Sequence, residues 1–492
     1  MSNLPNQPPF TPIPAGVTSP PAGPTPEIPL PETLIRPTSP LPPPTPTSVP
    51  APPPSMTPPQ TAQASRFKRL LPFAIGFAAL SLIGLSFYKF LLPRLAPSKK
   101  VATPPATITY WGLWEPQPVL ASLINQFQTQ NPNIIVNYVQ QSHKDYRERL
   151  QSALARNQGP DIFRFHATWI PMLKDELASL PATITDQSQF FPAAKKDLVK
   201  GNNLIGVPLM FEGLSLYYNQ DIFTAAAATP PTTWEDLRKT ALELTVKDDT
   251  GKIQTAGVAL GNTDNVDHWP DILALMLLQN GADPANPTNK LAEDALTFYT
   301  IFNLQDKVWD STLPRSTQAF ATGKVAMYFA PSWRAHDLKA INPQLKFATV
   351  PVPQLPNTSI TWASYWAEGV SAKSNHKDAA IKFLEFLAQK NNLVELYTQA
   401  SQVRAFGEIY PRQDLAETIK SDPIVGSFVT QAKTAQSWYL ASLTHDNGLN
   451  DRIIKYYQDA VNAVNQGTPI TQSLATAAQG ITQVLSQYGL AR

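Results

Sequence analysis

The sequence predicts an α/β protein built on a doubly wound, parallel sheet, and three observations lead there. From Ala106 onward, strand-like and helix-like segments alternate. That stretch carries all ten tryptophans of the chain, so the side chains that bury the most apolar surface are gathered in it. Running from residue 106 to residue 492, it is also longer than one hydrophobic core, which stops growing near roughly 250–300 residues.

The elements follow in order. ATITYW (residues 106–111) has strand-forming residues. Residues 118–130 place Leu120, Leu123, Ile124 and Phe127 on one helical face, and Asn131-Pro132 stops that helix. NIIVNYV (133–139) is a second strand. Residues 145–156 carry Tyr146, Leu150, Ala153 and Leu154 at helical spacing, closed by Asn157-Gln158-Gly159-Pro160. DIFRF (161–165) is a third strand. Strand, helix, strand, helix, strand implies right-handed crossovers and parallel pairing.

The residues before this part are different in kind. Residues 1–65 hold 23 of the 50 prolines and only Glu27, Glu32 and Arg36 as charges. Proline removes backbone donors and biases its predecessor away from helix, so the stretch reads as a disordered, partly polyproline-II tail. Its runs Pro42-Pro43-Pro44 and Pro52-Pro53-Pro54 could dock an aromatic groove on a partner or act only as spacer. Residues 70–88, LLPFAIGFAALSLIGLSFY, contain no charge. As a helix they would span roughly 28 Å at about 1.5 Å per residue, the thickness of a bilayer core. A signal peptide would be shorter in its apolar core and would not sit behind such a tail. The expected organisation is a tail at 1–65, a single transmembrane anchor at 66–92 contacting lipid through residues 70–92, a linker at 93–105 and a globular domain at 106–492. Arg66, Lys68 and Arg69 precede the apolar run, and Lys89, Arg94, Lys99 and Lys100 follow it. Charge alone therefore leaves the orientation open.

Composition excludes several classes. With 39 basic against 37 acidic residues the net charge is +2, which provides no global field for nucleic acid. The absence of cysteine removes disulfide frameworks, thiol catalysis and Cys-ligated zinc, and argues against a lipidated N-terminal cysteine. The six histidines, His143, His166, His268, His336, His376 and His445, never fall at metal-ligand spacing, so no metal and no cofactor is expected. Lys247 to Lys252 reads as a turn and lacks the oxygen ligands of a calcium loop. No nucleophile elbow or phosphate loop is present.

Ligands of doubly wound sheets bind beyond the carboxyl ends of the strands. Trp111, Trp114 and Glu115 follow the first strand, and Phe165, His166 and Trp169 follow the third. An indole face suits the C–H face of a sugar ring, whose hydroxyls then need fixed carboxylates or amides.

Longer stretches carry a specific resemblance. GNNLIGVPLMFEGLSLYYNQDIF (201–223) followed by PPTTWEDLRKTALELT (230–245) resembles the signature of family 1 extracellular solute-binding proteins, which include maltose- and oligosaccharide-binding components of ABC importers. AFATGKVAMYFAPSWR (319–334) and WAEGVSAKSNHKDAAIKFLEFL (366–387) are similar to the same family, in order. The resemblance implies a two-lobed periplasmic-binding-protein type II fold with the ligand held between α/β lobes. Lobe 1 would take about 106–210 and 366–412, and lobe 2 about 213–362 and 414–492. It also implies ligand contacts at Trp111, Trp114, Glu115, Phe165, His166, Trp169 and Glu212. On the second lobe and the return crossing they would be Asp267, His268, Trp269, Trp333, Arg334, Trp362, Tyr365, Trp366 and Glu368, with a late pair, Trp438 and Tyr439. Trp234, after Thr232-Thr233 and before Glu235 and Asp236, reads instead as a helix start.

The expected function is capture of a carbohydrate, an oligosaccharide for preference, and its delivery to the permease subunits of an ABC importer. The tail would then be cytoplasmic and the globular domain outside the cell membrane. Two alternatives stay open: a tethered receptor for signalling or adhesion, and a non-sugar solute such as a polyamine. A glycan-cleaving enzyme would need two carboxylates at a set separation, and nothing in the sequence points to such a pair.

Overall fold

The computed structural model describes residues 105–491, with Lys89 alone ahead of them. The proline-rich tail, the apolar run 70–88 and nearly all of the linker lie outside the described residues. Among the described residues, no helix is long and apolar enough to cross a membrane.

The first sheet forms in the order the alternation implies. β1 (Ala106–Gly112) lies between β2 (Ile134–Gln140) and β3 (Ile162–His166), parallel to both. The crossovers are α1 (Gln117–Gln130) and α2 (Tyr146–Ala155). α1 buries Val119, Leu120, Leu123, Ile124 and Phe127, and α2 buries Tyr146, Leu150, Ala153 and Leu154. Both are single apolar stripes of helical period turned to the sheet. Beyond β3 a small antiparallel ribbon forms from β4 (Leu180–Pro181), β5 (Val199–Lys200) and β6 (Asn203–Leu204), with α3 (Pro192–Leu198) between its first two strands.

Residues 207–215 carry the chain into a second, five-stranded sheet in the order β11-β7-β10-β9-β8. Its strands are β7 (Ser215–Asn219), β8 (Val246–Lys247), β9 (Ile253–Val258), β10 (Val325–Ala330) and β11 (Phe347–Val350). Around them lie α4 (Gln220–Ala225), α5 (Trp234–Leu244), α6 (Trp269–Gln279), α7 (Lys290–Leu304), α8 (Ser316–Ala321) and α9 (Arg334–Ile341). Trp234 opens α5, whose cap is the Thr233 hydroxyl accepting from the Asp236 N–H at 3.1 Å. Its buried indole donates to Gln279 Oε1 at 2.6 Å, so this tryptophan is structural.

The chain returns through β12 (Thr361–Trp362) to β13 (Trp366–Val370), which joins the first sheet beside β3. α10 (Lys377–Leu387) and α11 (Lys390–Ser401) pack there against α1. After Arg412, which still pairs with Phe190, α12 (Gln413–Ala416) and α13 (Gly426–Gln431) lead to the second sheet, where the Thr349 hydroxyl donates to the Ile424 carbonyl at 2.6 Å. β14 (Ala435–Gln436) pairs with β12, and the hairpin of α14 (Leu449–Asn465) and α15 (Ile470–Gln487) packs on α7.

Pairing is not parallel throughout. β13 runs antiparallel to β3, and β7 runs antiparallel to both β10 and β11. Apart from the short edge strand β8, which runs antiparallel to β9, these are the two strands that directly follow a crossing between sheets. A strand entering from the junction must run away from it, against the parallel strands that run toward it.

The crossing segments touch along their backbones: Val207 pairs with Glu368, and Gly213 with Ala363. A Cβ on Gly213 would stand 2.5 Å from the Trp362 carbonyl oxygen, a backbone atom that cannot turn aside. Gly213→Ala is therefore expected to cost about 1–3 kcal/mol through overpacking, read as a lower thermal midpoint. A variant as stable as the parent would show that the two crossings are not packed this closely.

Candidate functional site

The carboxyl ends of β1, β3 and β10 and the beginnings of β7 and β13 converge on one cavity of about 480 Å³. This is where ligands of α/β sheets are held.

The first lobe supplies an aromatic wall. Trp366 opens β13 directly opposite His166, the last residue of β3. Trp114, from the loop after β1, meets Trp366 edge-on with ring centroids 5.0 Å apart. His166 meets it at 5.1 Å, and Trp169 backs it at 5.0 Å. Two residue pairs further along the same strands, and so on the same face, Arg164 faces Glu368. This guanidinium is fully buried between two carboxylates, at 2.6 Å from Glu115 and 2.7 Å from Glu368, and it lies 5.3 Å from the Trp114 ring. The Tyr110 hydroxyl donates to the same Glu368 oxygen at 3.0 Å. Burial pushes the Glu368 carboxyl up, with Arg164 opposing and Glu115 adding to the rise.

The second lobe supplies the facing wall. Trp333 and Arg334 follow β10, and the guanidinium stacks on the indole at 4.4 Å. Arg334 Nε donates to His268 Nε2 at 3.0 Å and its NH1 pairs with Asp337 at 2.8 Å. Because an arginine N–H only donates, His268 Nε2 accepts and Nδ1 carries the proton toward the Ser442 hydroxyl, 2.9 Å away. Burial holds His268 below the ordinary imidazole range; Asp271 opposes this and Arg334 adds to it. Trp333 is 37 % exposed, the most open of the wall indoles.

Between the walls lies the junction. Glu212 accepts the Ser332 backbone N–H at 3.1 Å and the Ser332 hydroxyl. Burial pushes its carboxyl up to about 8, against the Ser332 hydrogen bonds and with help from Glu408, so at neutral pH it holds its proton. Trp362 is buried in the floor and donates to Asp271 at 2.7 Å. Arg404 pairs with Glu408 there. The rim is formed by residues 442–445 and His143.

Eight of the residues expected at the ligand therefore line one cavity: Trp114, His166, Glu212, His268, Trp333, Arg334, Trp362 and Trp366. The other ten do not. Glu115 and Glu368 are consumed by Arg164, and Trp169 stands behind Trp366. Phe165 and Trp111 point to the opposite faces of their strands from His166 and Tyr110, as a period of two requires. Asp267 is turned away to the Thr317 N–H at 2.9 Å and Arg315 at 2.6 Å. Burial would raise its carboxyl, but these donors and Arg334 bring it down to about 2. Trp269 is buried in the first turn of α6. Tyr365 donates to Asp197 at 3.2 Å, and the Trp438–Tyr439 ring pair lies outside the cavity lining, with Tyr439 within the field of the same carboxylate. Residues not anticipated include His143, Asp271, His336, Asp337, Arg404, Glu408 and Thr444. They sit in loops and helix starts far apart in sequence, where no periodicity marks them.

The junction carboxyl gives a pH signature. Glu212 binds its proton in the folded state up to about pH 8, whereas the unfolded chain releases it near 4.5. Its ionisation thus lowers stability as pH rises between those values. Glu212→Gln removes this penalty. The variant's thermal midpoint relative to the parent is expected to climb from pH 5 to pH 8 and to be flat below 4.5; a constant offset across that window would refute the buried acid.

With this geometry in place, sequence comparison adds the lineage. Residues 122–426 match the sequence model described as bacterial extracellular solute-binding protein. The chain is 23 % identical over 378 residues to the maltodextrin-binding protein MdxE of Bacillus subtilis, covering 73 % of this chain and 86 % of that one. Similar solved structures include the sugar-binding protein MalE of Xanthomonas citri (TM-score 0.64, 21 % identity, 78 % of this chain and 98 % of that one). Another is the ABC substrate-binding protein Lmo0181 of Listeria monocytogenes in complex with cycloalternan (TM-score 0.60, 21 % identity, 78 % and 99 %). A match over more than half of the sequence, on a fold of two α/β lobes closing on one cavity, places this chain in the family of bacterial extracellular solute-binding proteins.

Proposed function

We propose that this protein captures a short oligosaccharide between its lobes and delivers it to an ABC importer. The observation that carries the reading is the pair of aromatic walls, Trp114 with Trp366 on one side and Trp333 on the other, lining a single cavity. Its volume falls in the range of roughly 300–1,000 Å³ usual for small-molecule sites. The same cavity is lined by polar side chains suited to hydroxyls. His336 Nδ1 and Thr444 Oγ1 are buried and have no partner among the described residues, and buried polar atoms are seldom left so. The relatives named for maltodextrin, sugar and cycloalternan support the same class.

A polyamine fits less well. A dication needs free carboxylates, yet Asp337 is paired with Arg334, Glu408 with Arg404, Asp271 is taken by the Trp362 indole and Ser442 N–H groups, and Glu212 holds its proton.

The same reading assigns the unusual N-terminus. With no cysteine in the sequence, residues 70–88 are the candidate tether, leaving the proline-rich tail in the cytoplasm and the binding domain outside. A tether keeps the domain at high local concentration beside a permease. Protease treatment of intact cells is expected to remove the globular domain; its full protection would overturn this topology.

Binding is tested by calorimetry with maltotriose, alternan-type and manno-oligosaccharides, and spermidine. A carbohydrate is expected to bind with a change in tryptophan emission and no product. Trp333→Ala and Trp366→Ala are each expected to weaken binding at least about tenfold, and Trp438→Ala to leave it within about twofold. Binding of spermidine alone, or unaltered affinity in both wall variants, would defeat the proposal.

A further inference from the structure

The C-terminal hairpin belongs to the second lobe by its packing. Thr263 donates to Asn462 at 2.7 Å, Asn465 to the Gly261 carbonyl at 2.8 Å and Tyr457 to the Pro284 carbonyl at 2.8 Å. The start of α14 nevertheless rests on the first lobe. Its Asn450 amide donates to the Thr168 hydroxyl at 2.6 Å in a fully buried contact. Arg147 donates to the Asp446 carbonyl, and the Leu449 N–H approaches Met172 Sδ at 3.5 Å.

The segment leading to this contact is shaped at some cost. Leu443, His445 and Asn447 all adopt left-handed backbone, with φ of 57°, 50° and 43°, a region that non-glycine residues seldom enter. Asp446 between them is completely buried. It accepts the N–H groups of Gly448, Asn450 and Asp451 at 2.9, 2.9 and 3.1 Å and the Asn450 side-chain amide at 3.0 Å. One amide hydrogen of Asn450 is thereby fixed on Asp446, and the other is aimed at Thr168.

From there the hydrogen bonds run in one direction. The Thr168 oxygen accepts from Asn450, so its own hydrogen goes to His166 Nδ1, 2.7 Å away. The Thr168 backbone N–H also donates to that nitrogen at 3.3 Å. His166 Nδ1 is then the acceptor, and its proton sits on Nε2, which donates to Ser364 Oγ at 3.2 Å in the cavity wall. A residue of the second lobe thus orients the Thr168 hydroxyl toward a first-lobe wall histidine, whose Nδ1 the Thr168 backbone N–H already holds as the acceptor.

We infer that Asn450 is an interlobe latch. When the lobes close, it docks on Thr168, holds the closed form and turns the Thr168 hydroxyl onto the His166 ring that the cavity presents to its ligand. Asn450 and Thr168 are positioning residues: neither lines the cavity, and both act on affinity through His166 and through closure. The inference rests on the solute-capture reading for its effect on affinity, but not for its effect on the ligand-free protein.

The test uses the soluble domain with Asn450→Ala, Thr168→Val and the double variant, each first shown to melt cooperatively. Small-angle scattering without ligand is expected to show a larger radius of gyration in both variants. Maltotriose affinity is expected to fall about threefold to tenfold in each, the range of one net hydrogen bond, with the double variant no weaker than the worse single one. If Asn450→Ala fails to fold because Asp446 loses a partner, Thr168→Val, nearly isosteric and on the other lobe, decides alone. Folded variants with parental scattering would overturn the latch. A parent that binds no oligosaccharide but loses its compactness on substitution would overturn the solute reading and leave the latch standing.

Discussion

The aromatic wall of the first lobe depends on one buried guanidinium. Arg164 lies in the middle of a strand whose five residues are all buried, and it is held by carboxylates from two other parts of the chain, Glu115 after β1 and Glu368 in β13. An unpaired charge in that position would be severely destabilising, and a paired one is close to neutral for stability. Its value here is in specificity. Only when β13 has returned from the second lobe in the right register does Glu368 stand opposite Arg164, and the same register sets Trp366 opposite His166. The charge layer therefore fixes the aromatic layer directly above it. Trp114 is held by the same group, since Arg164 lies against its ring.

Much of this was legible in the sequence. The first three strands and two helices follow from periodicity and breakers, and their observed limits lie within a residue or two of the expected ones. The antiparallel direction of β7 and β13 was not legible, because direction is set by where a crossing enters a sheet and not by the strand's own residues. Among site residues, the indoles beside strand ends were informative, while carboxylates were not. A glutamate that meets a ligand and one that neutralises a buried arginine look alike in one dimension. The clue was Arg164 itself: an arginine inside DIFRF demands buried acidic partners. The period of two would likewise have separated His166 from Phe165.

The two lobes contribute differently to the cavity. The first-lobe wall is locked by the ion layer and by three rings packed edge-on around Trp366. The second-lobe wall is looser, with Trp333 partly open to solvent and Arg334 laid over it. The segment from Leu443 to Asn447, which leads out of the rim, is the strained part. A fixed platform, an adaptable face and a strained closing segment suit a protein that must both retain a solute and let it go.

The histidines explain how the cavity can be polar without being charged. Five of the six in the chain, His143, His166, His268, His336 and His445, reach its lining. Burial holds His166 and His336 down to about 4, so both are neutral at physiological pH. A neutral imidazole offers one donor and one acceptor on fixed vectors. A sugar hydroxyl is likewise donor and acceptor at once, so rings of this kind can serve it from either side. Of the formal charges that remain, Arg334 arrives with Asp337 and Arg404 with Glu408, while Asp271 is turned to the Trp362 and Ser442 N–H groups. What the wall can distinguish is the pattern of hydroxyls and the C–H face of a ring, through hydrogen-bond direction and stacking. The same neutrality makes the tautomer of each ring matter, because exchanging donor for acceptor at one nitrogen changes which hydroxyl orientation the cavity accepts.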